Sequence, residues 1–504
     1  MKKLLCILLI ACTLVPLLVA CGGGGNTVVT TEPPKGDDPA VTTEPSTDTT
    51  EYVELPELPE GADYDSYEFL ILVAGNYKVN DFEATEGSSD IITEAIFRRN
   101  AIMAEQMGVV IANKDVIAFN SSNGSGVGYK AMQQSYTTNS YDYDMCMIGT
   151  IDAGVIAYSG YAADLNALPY IDLERSWWDQ RANDDLEIAG KMFYTTGDIG
   201  LCDNRVTHCL LFNKELIAED PALISPYELV REGKWTYDAL KTEVSKVSVD
   251  VNADDKMDYQ DKYGLLTWND SFTAAVAAAG NKFCTINDEG KIEITFYNDR
   301  LETLVDKHIG LICDSATAFN YQYNIGSENW DRYRHAMFRE SRCLYYMQTL
   351  TAVSTFRDDD LDFGIIPYPK LDEEQESYNS LVSINHAHFV MVPTFIDDED
   401  RTGAVIEMLA YQGKQILTPA YFEKTLVGRE MRDEESEEML YVIFDNRVYD
   451  VGLVYNVGNL KATLAACLTA RQNVLSSQWN AYKKSAERSE RKINEELAKI
   501  SEQQ

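Results

Sequence analysis

Residues 67–74 read Tyr-Glu-Phe-Leu-Ile-Leu-Val-Ala, a nearly unbroken apolar run closed by Gly75-Asn76-Tyr77. A run this short, ended by a turn signal, predicts a strand buried on both faces. The period then changes. Ile91, Ile92, Ala95, Ile96, Ile102, Met103 and Met107 recur at helical spacing and Gly108 stops them, which predicts a helix over 90–108. A strand at 109–112, a helix around 129–137 and a strand at 143–149 repeat the order. Farther along, the pattern predicts a helix opening near Trp235-Thr236-Tyr237, a strand at 263–267, an alanine-rich helix at 271–279 and a strand-like stretch at 363–367. A short strand at 388–392 is halted by Pro393, and a long polar helix covers 474–500. Strands alternating with helices imply an α/β protein with largely parallel sheets covered by helices. Ligands of such open sheets bind beyond the carboxyl ends of strands, which marks Asn76, Tyr77, Thr150 and Asp152; each also fits an ordinary turn.

The first twenty residues follow a different pattern. Lys2 and Lys3 precede an apolar run at 4–18, the charged-then-hydrophobic order of a secretory signal and too short for a bilayer span. It ends in Leu18-Val19-Ala20-Cys21, which resembles the lipobox of bacterial lipoproteins, in which the cysteine is diacylated and the peptide is cut ahead of it. An ordinary cleaved signal or an uncleaved anchor is the alternative; Ala20 and the glycines at 22–25 argue against both. Two acyl chains suffice for stable anchoring. From 22 to about 60 the chain is Thr, Pro, Glu, Asp and Gly with Lys35 as its one basic residue, a composition expected to stay disordered and to act as a stalk.

The remaining length, about 440 residues, exceeds one ordinary core, so two or more lobes are expected. With 81 Asp plus Glu against 43 Lys plus Arg the formal net charge is −38, which disfavours nucleic acid, since affinity for phosphate backbones rests on Lys and Arg. Past Cys6, Cys12 and Cys21, seven cysteines remain and cannot all pair. Cys202 and Cys209, with His208, form only a fragment of a zinc pattern, and His386 and His388 lack a recognisable third ligand. A secreted glycosidase would use paired carboxylates, but Asp359-Asp360 and Asp397-Asp398 read as solvated loops in so acidic a chain. There is no Gly-x-Ser-x-Gly elbow, His-Glu-x-x-His motif or phosphate loop.

One stretch has metal-ligand spacing. In residues 250–261, Asp250, Asn252, Asp254, Asp258 and Asp261 place oxygen side chains at loop positions one, three, five, nine and twelve, and Lys256 offers a carbonyl at seven. That is a calcium-loop pattern. Asp255 stands where the loop usually has Gly, and Asp261 replaces a bidentate Glu. Because a strand follows, the expectation is a structural calcium clip; the alternative is a solvated acidic turn.

Four segments, in order, carry a resemblance to a known family. Asp142-Tyr143-Asp144-Met145 leads to Gly160-Tyr161-Ala162-Ala163-Asp164-Leu165. Residues 190–198, Gly-Lys-Met-Phe-Tyr-Thr-Thr-Gly-Asp, are followed by Leu210-Leu211-Phe212-Asn213-Lys214-Glu215-Leu216. Trp235-Thr236-Tyr237-Asp238 and Lys262-Tyr263-Gly264-Leu265 come next. Together they resemble the extracellular solute-binding proteins of ABC importers, in particular the sugar-binding family typified by maltose-binding protein. Tyr170-Ile171-Asp172-Leu173 with Trp177-Trp178-Asp179, residues 362–370, and residues 432–440 look like a clostridial-type subgroup. Adjacent side chains point in different directions, so Trp177 and Trp178 are expected to pack between the Tyr170 loop and the lobe.

The resemblance implies a two-lobed periplasmic-binding-protein-like fold of type II, each lobe a mostly parallel sheet flanked by helices. Residues 61–205 with 380–425 would form lobe I, and 206–379 with 426–504 lobe II. It implies a non-enzymatic receptor that closes over a carbohydrate and delivers it to an ABC permease. Sugars are held by aromatic faces stacked on C–H patches and by polar groups on hydroxyls. Trp268, Tyr345 and Tyr346 lie where relatives place stacking aromatics, or are core residues, the commoner fate of such side chains. Thr150, Asp152 and Asp198 are the expected polar contacts, with Asn76 and Tyr77 beside them. The expected partners are a small-molecule sugar, a permease and a membrane touched only through lipid on Cys21. Nucleic acid is not among them, and the expected state is a monomer on the extracellular face. A surface adhesin or sensor of the same fold is the competing reading.

Overall fold

The computed structural model describes residues 55–75, 80–117, 126–324, 330–356, 359–423 and 434–501. Residues 1–54, and with them Cys21 and most of the expected stalk, lie outside the described residues, as do Asn76 and Tyr77.

The apolar run Tyr67–Ala74 is one of the two inner strands of a four-stranded sheet. Met145–Gly149 and Val109–Ile117 flank it in parallel, and His388–Met391 joins Met145–Gly149 in antiparallel register. Every residue of Met145–Gly149 is buried, as an inner strand covered on both faces requires. The helix Ile91–Met107 has the ends its sequence predicts: the Asp90 carboxylate accepts the Thr93 N–H at 3.0 Å, and Gly108 takes a left-handed φ of 58°. Its Ile92, Ala95, Ile96, Met103 and Met107 are buried.

A second, five-stranded sheet runs in the order Phe363–Ile366, His208–Asn213, Cys343–Thr349, Tyr263–Thr267 and Ala318–Asn320. Its pairings divide evenly: Tyr263–Thr267 is parallel to both neighbours, and His208–Asn213 is antiparallel to both of its own. The sheet is therefore more mixed than its sequence pattern suggests, because His208–Asn213 enters it reversed. Cys343–Thr349, at the centre, sends successive tyrosines to opposite faces. Tyr345 packs into a core with Trp235, Leu240 and Phe272, and Tyr346 into one with Met337, Phe338 and Phe356. The Asn213-Lys214 pair opens the helix Lys214–Glu219, with the Asn213 side chain accepting the Leu216 N–H at 3.0 Å.

The chain passes between the sheets in segments that lie side by side. Thr207 bridges Val382, Ser380–Leu381 pairs in parallel with Arg447–Val448, and the Val382 N–H donates to the Val448 carbonyl. Arg447 ties these passages together. Its guanidinium reaches Asp179 at 3.1 Å, Asp203 at 3.1 Å and the Asn204 amide oxygen at 2.8 Å. The Tyr449 hydroxyl donates to the same Asp179 carboxylate at 2.7 Å. The closing helix Leu475–Ser501 covers an edge strand: Asn494 and Glu490 accept the backbone N–H groups of Ile292 and Ile294 at 3.0 and 2.9 Å. Side chains from a helix here do what a further strand would do for that edge.

Candidate functional site

The carboxyl ends of both sheets face the crossing segments. In the first sheet Tyr67–Ala74 ends at Gly75 and Met145–Gly149 at Gly149, and these glycines touch. A Cβ on Gly75 would meet the Gly149 Cα at 2.6 Å, and φ at Gly75 is +115°, so no side chain fits either the space or the backbone. In the second sheet Tyr263–Thr267 runs into Trp268-Asn269-Asp270, which opens the helix Ser271–Ala278. Between them lies the segment 384–387. The Asn385 amide donates to the Asp270 carboxylate at 2.7 Å, and the Lys461 ammonium donates to the Asn385 oxygen at 3.3 Å. Asp270, Asn385 and Lys461 thus form a chain of charge-assisted bonds across this edge.

Two cavities adjoin that chain and share Lys461. The larger, about 500 Å³, is lined by Ile151, Tyr158, Ile384, Tyr455, Asn456, Asn459 and Lys461, with Lys492 and Glu496 of the closing helix. The smaller, about 310 Å³, is lined by Asn269, Asp270, Thr273, Tyr323, Lys461 and Leu468. Both lie in the size range of small-molecule sites, and each mixes aromatic or aliphatic walls with a few polar groups. The crevice directly between Gly75, Gly149, Thr150 and Asn385 is too tight to hold a ligand.

The residues singled out from sequence divide sharply. Thr150 is buried, and its hydroxyl and N–H both donate to the Ala387 carbonyl, at 2.9 and 3.1 Å. Asp152 is buried as well. Its carboxylate accepts the N–H groups of Gly126, Gly128 and Tyr129, so it serves the start of the helix Val127–Thr138. Asp198 accepts the Thr418 hydroxyl at 2.6 Å, and burial pushes its carboxyl up to about 6. Tyr345 and Tyr346 are fully buried in the two cores of the second sheet, on opposite faces, and neither lines either of these two cavities. Their placement is the core alternative, because a central strand covered on both faces has no exposed side. Trp268 stands at the right strand end but is buried between the His208 and His386 rings, at 5.8 and 6.0 Å, and its indole N–H has no partner among the described residues. Asn385, Lys461, Tyr158, Tyr323 and Tyr455 were not legible as site residues. Of the residues around them Thr150, Trp268 and His386 carried a sequence signal, and the His386 imidazole is bonded to Ser383 at 2.9 Å.

The calcium-like loop has part of the geometry its spacing implies. Asp255, at the sixth position, has a φ of 63°, the left-handed conformation for which the loop usually employs Gly. Its oxygens, however, turn to the loop's own backbone. Asp250 accepts the N–H groups of Ala253 and Asp255, Asn252 that of Asp254, Asp254 that of Lys256, Asp258 that of Gln260, and the buried Asp261 those of Val251 and Asp258. Among the described residues no group of three or more His, Cys, Asp or Glu is gathered to hold a metal ion. All seven later cysteines are free thiols, including Cys202 and Cys209.

No protein-family model and no curated protein matches the chain. Solved structures do. An ABC substrate-binding protein from Listeria monocytogenes, solved with cycloalternan, matches over 86% of this chain and 99% of its own at 13% identity and a TM-score of 0.53. UspC of M. tuberculosis matches over 85% and 100% at 13% identity and 0.52. The maltose/maltodextrin-binding domain MalE from Bdellovibrio bacteriovorus, bound to maltotriose, matches over 86% and 100% at 15% identity and 0.50. The fold is that of the two-lobed solute-binding proteins. The described residues contain no helix long and apolar enough to cross a membrane.

Trp177 and Trp178 have a structural task that their adjacency obscures. Both are buried, and both indole N–H groups donate to one carboxylate, Glu407, at 3.0 Å each. Burial pushes the Glu407 carboxyl up to about 7. The folded state therefore takes up this proton more readily than the unfolded chain. The stability it contributes is full below about pH 4.5 and is lost as pH rises toward about 7. The buried His208, His308 and His388, held low by burial, act in the opposite direction, so the difference between two proteins is the clean measure. Glu407→Gln keeps the shape and removes the titration. Relative to the wild type it gains about 1–3 kcal/mol between pH 4.5 and 7 in denaturant unfolding; a difference independent of pH would show that Glu407 does not titrate in that window.

Proposed function

We propose that this chain is a receptor that captures a carbohydrate between its two lobes and delivers it to an ABC permease. The observation that carries the reading is the pair of cavities sharing Lys461, where Tyr158, Tyr455 and Tyr323 supply aromatic faces and Asp270, Asn456, Asn459 and Lys461 supply groups for hydroxyls. Aromatic faces with a few convergent polar groups are the chemistry of a neutral sugar site. The saccharide complexes among the structural neighbours support it. On this reading the chain is exported, diacylated at Cys21 and held at the extracellular face by that lipid, and it works as a monomer without catalysing a reaction. The clostridial-type segments are consistent with a bacterium that tethers such receptors.

Titration with mono- and oligosaccharides, followed by tryptophan fluorescence and calorimetry, tests the reading. A saturable change with the sugar recovered unaltered is expected, and Lys461→Ala weakens binding on the order of tenfold by leaving Asn385 and Asp270 without their cation. Cleaved sugar would replace the receptor with a glycosidase, and failure with every sugar would remove the carbohydrate assignment. Replacing Cys21 with Ser should release the chain from the membrane fraction.

A second proposal concerns residues 250–261, read as a structural calcium clip. The left-handed Asp255 supports it, as does the spare lone pair on each carboxylate oxygen that now accepts one N–H. Chelator should lower the melting temperature and added calcium restore it; an unchanged melting temperature eliminates the clip.

A further inference from the structure

A second group of aromatic rings lies on the first lobe, reached along the chain from the larger cavity. Tyr158 and Tyr455 stand in the cavity with ring centroids 6.3 Å apart, and Tyr161 follows Tyr158 across the turn at Ser159-Gly160. From Tyr161 the run branches to Tyr129 at 5.7 Å and to Tyr136 at 4.7 Å, and Tyr136 stacks on Phe395 at 5.1 Å. Three segments distant in sequence supply these rings. Tyr129 and Tyr136 stand seven residues apart on the helix Val127–Thr138 and so share a face. Phe395 is carried by a segment fastened to the Tyr161 turn: the Thr394 hydroxyl donates to the Gly160 carbonyl at 2.7 Å and its N–H to the Tyr161 carbonyl at 3.1 Å.

None of these four outer rings is fully buried, Tyr129 and Tyr161 being half-buried. Tyr136 is 39% exposed and Phe395 37%. Contiguous exposed apolar surface on a folded lobe marks an interaction site, and the chemistry here selects its occupant. The hydroxyl tips are tied to an amide, with Gln133 donating to the Tyr129 oxygen at 3.1 Å and the Tyr161 oxygen at 3.5 Å. Ring faces for C–H patches, edged by hydroxyl and amide groups, suit a saccharide, and a chain of net charge −38 favours a neutral one. The chain sets the two surfaces side by side, with Tyr158 in the cavity and Tyr161 three residues on among the outer rings.

We propose that Tyr161, Tyr129, Tyr136 and Phe395 form an outer saccharide-binding surface, so that the ligand is a neutral oligosaccharide longer than the cavity, with its far units against Tyr136 and Phe395. This rests on the receptor reading above, and the experiment separates the two. Graded ladders of neutral α- and β-linked oligosaccharides are titrated calorimetrically into the full chain and its Tyr136→Ala and Phe395→Ala variants, both exposed substitutions with little structural role. Affinity should rise with chain length beyond the units the cavity holds. Each variant should lose about threefold to tenfold for long oligomers while binding the shortest ligand as the wild type does. Unchanged affinity at every length overturns the outer surface and leaves the cavity reading standing. Equal loss for short and long sugars overturns it too, as does full sugar binding combined with lost uptake in cells, which would assign the face to the permease. No saccharide binding by the wild type would remove both readings together.

Discussion

The Arg447 guanidinium is the interaction on which the relation between the two sheets depends. It lies where the passages between them run side by side, and it is held by Asp179 and Asp203 at 3.1 Å each and by the Asn204 oxygen. A largely buried cation is tolerable only when paired, and here two carboxylates compete for one positive charge. The imbalance is visible in Asp203, whose carboxyl burial pushes up to about 7 despite Arg447. Desolvation therefore outweighs a contact at hydrogen-bond distance. Tyr449 relieves part of the excess by donating to Asp179, and Asp179 uses its other oxygen to start the helix Gln180–Leu186. Losing any one of these partners would leave a buried charge uncompensated, so the cluster fixes how the crossing segments lie against one another.

Much of the fold was legible because its elements are strongly patterned. The strand Tyr67–Ala74, the helix Ile91–Met107, the strand Tyr263–Thr267 and the helix Leu475–Ser501 lie within a residue or two of where periodicity puts them. The central strand Cys343–Thr349 was missed as a strand because its Tyr345-Tyr346 pair resembles a binding platform. Both rings point into cores, and nothing local distinguishes a fully covered strand from an aromatic patch. The site was far less legible. Asp270, Asn385 and Lys461 lie 76 to 191 residues apart in the sequence and meet only through the tertiary fold. No spacing rule reaches across such separations.

Segments that resembled a subgroup without a physical rationale acquire one from packing. In the 432–440 stretch Ser436 is buried against the Tyr227 hydroxyl at 2.6 Å, while Glu435 and Glu438 pair with Arg231. In the 362–370 stretch the Pro367 carbonyl accepts the buried Trp235 indole at 3.0 Å, and the Lys370 backbone bonds to Trp235 and Tyr237. Trp177 and Trp178 clamp Glu407. These are architectural groups with demanding partners, which gives a folding reason for such residues to recur without any tie to a ligand.

The polar groups around the crossing segments differ in what already holds them. On the first-lobe edge the polar side chains are already occupied: Thr150 by the Ala387 carbonyl, and Asp152 by three backbone N–H groups. A carboxylate that organises a helix start cannot also turn to a sugar hydroxyl without releasing that helix. The polar lining of the two cavities comes instead from Asn456, Asn459 and Lys461, which follow the last passage between the sheets, and from Asp270 and Thr273; of these, Asp270 and Lys461 are bonded to Asn385, and the Thr273 hydroxyl donates to the Asp270 carbonyl. What the first lobe contributes is ring and aliphatic surface, Tyr158 and Ile151. Tyr455 and Tyr323 add rings from the side that carries Asn456, Asn459, Lys461 and Asp270, so the smaller cavity joins aromatic and hydrogen-bonding groups from that side alone.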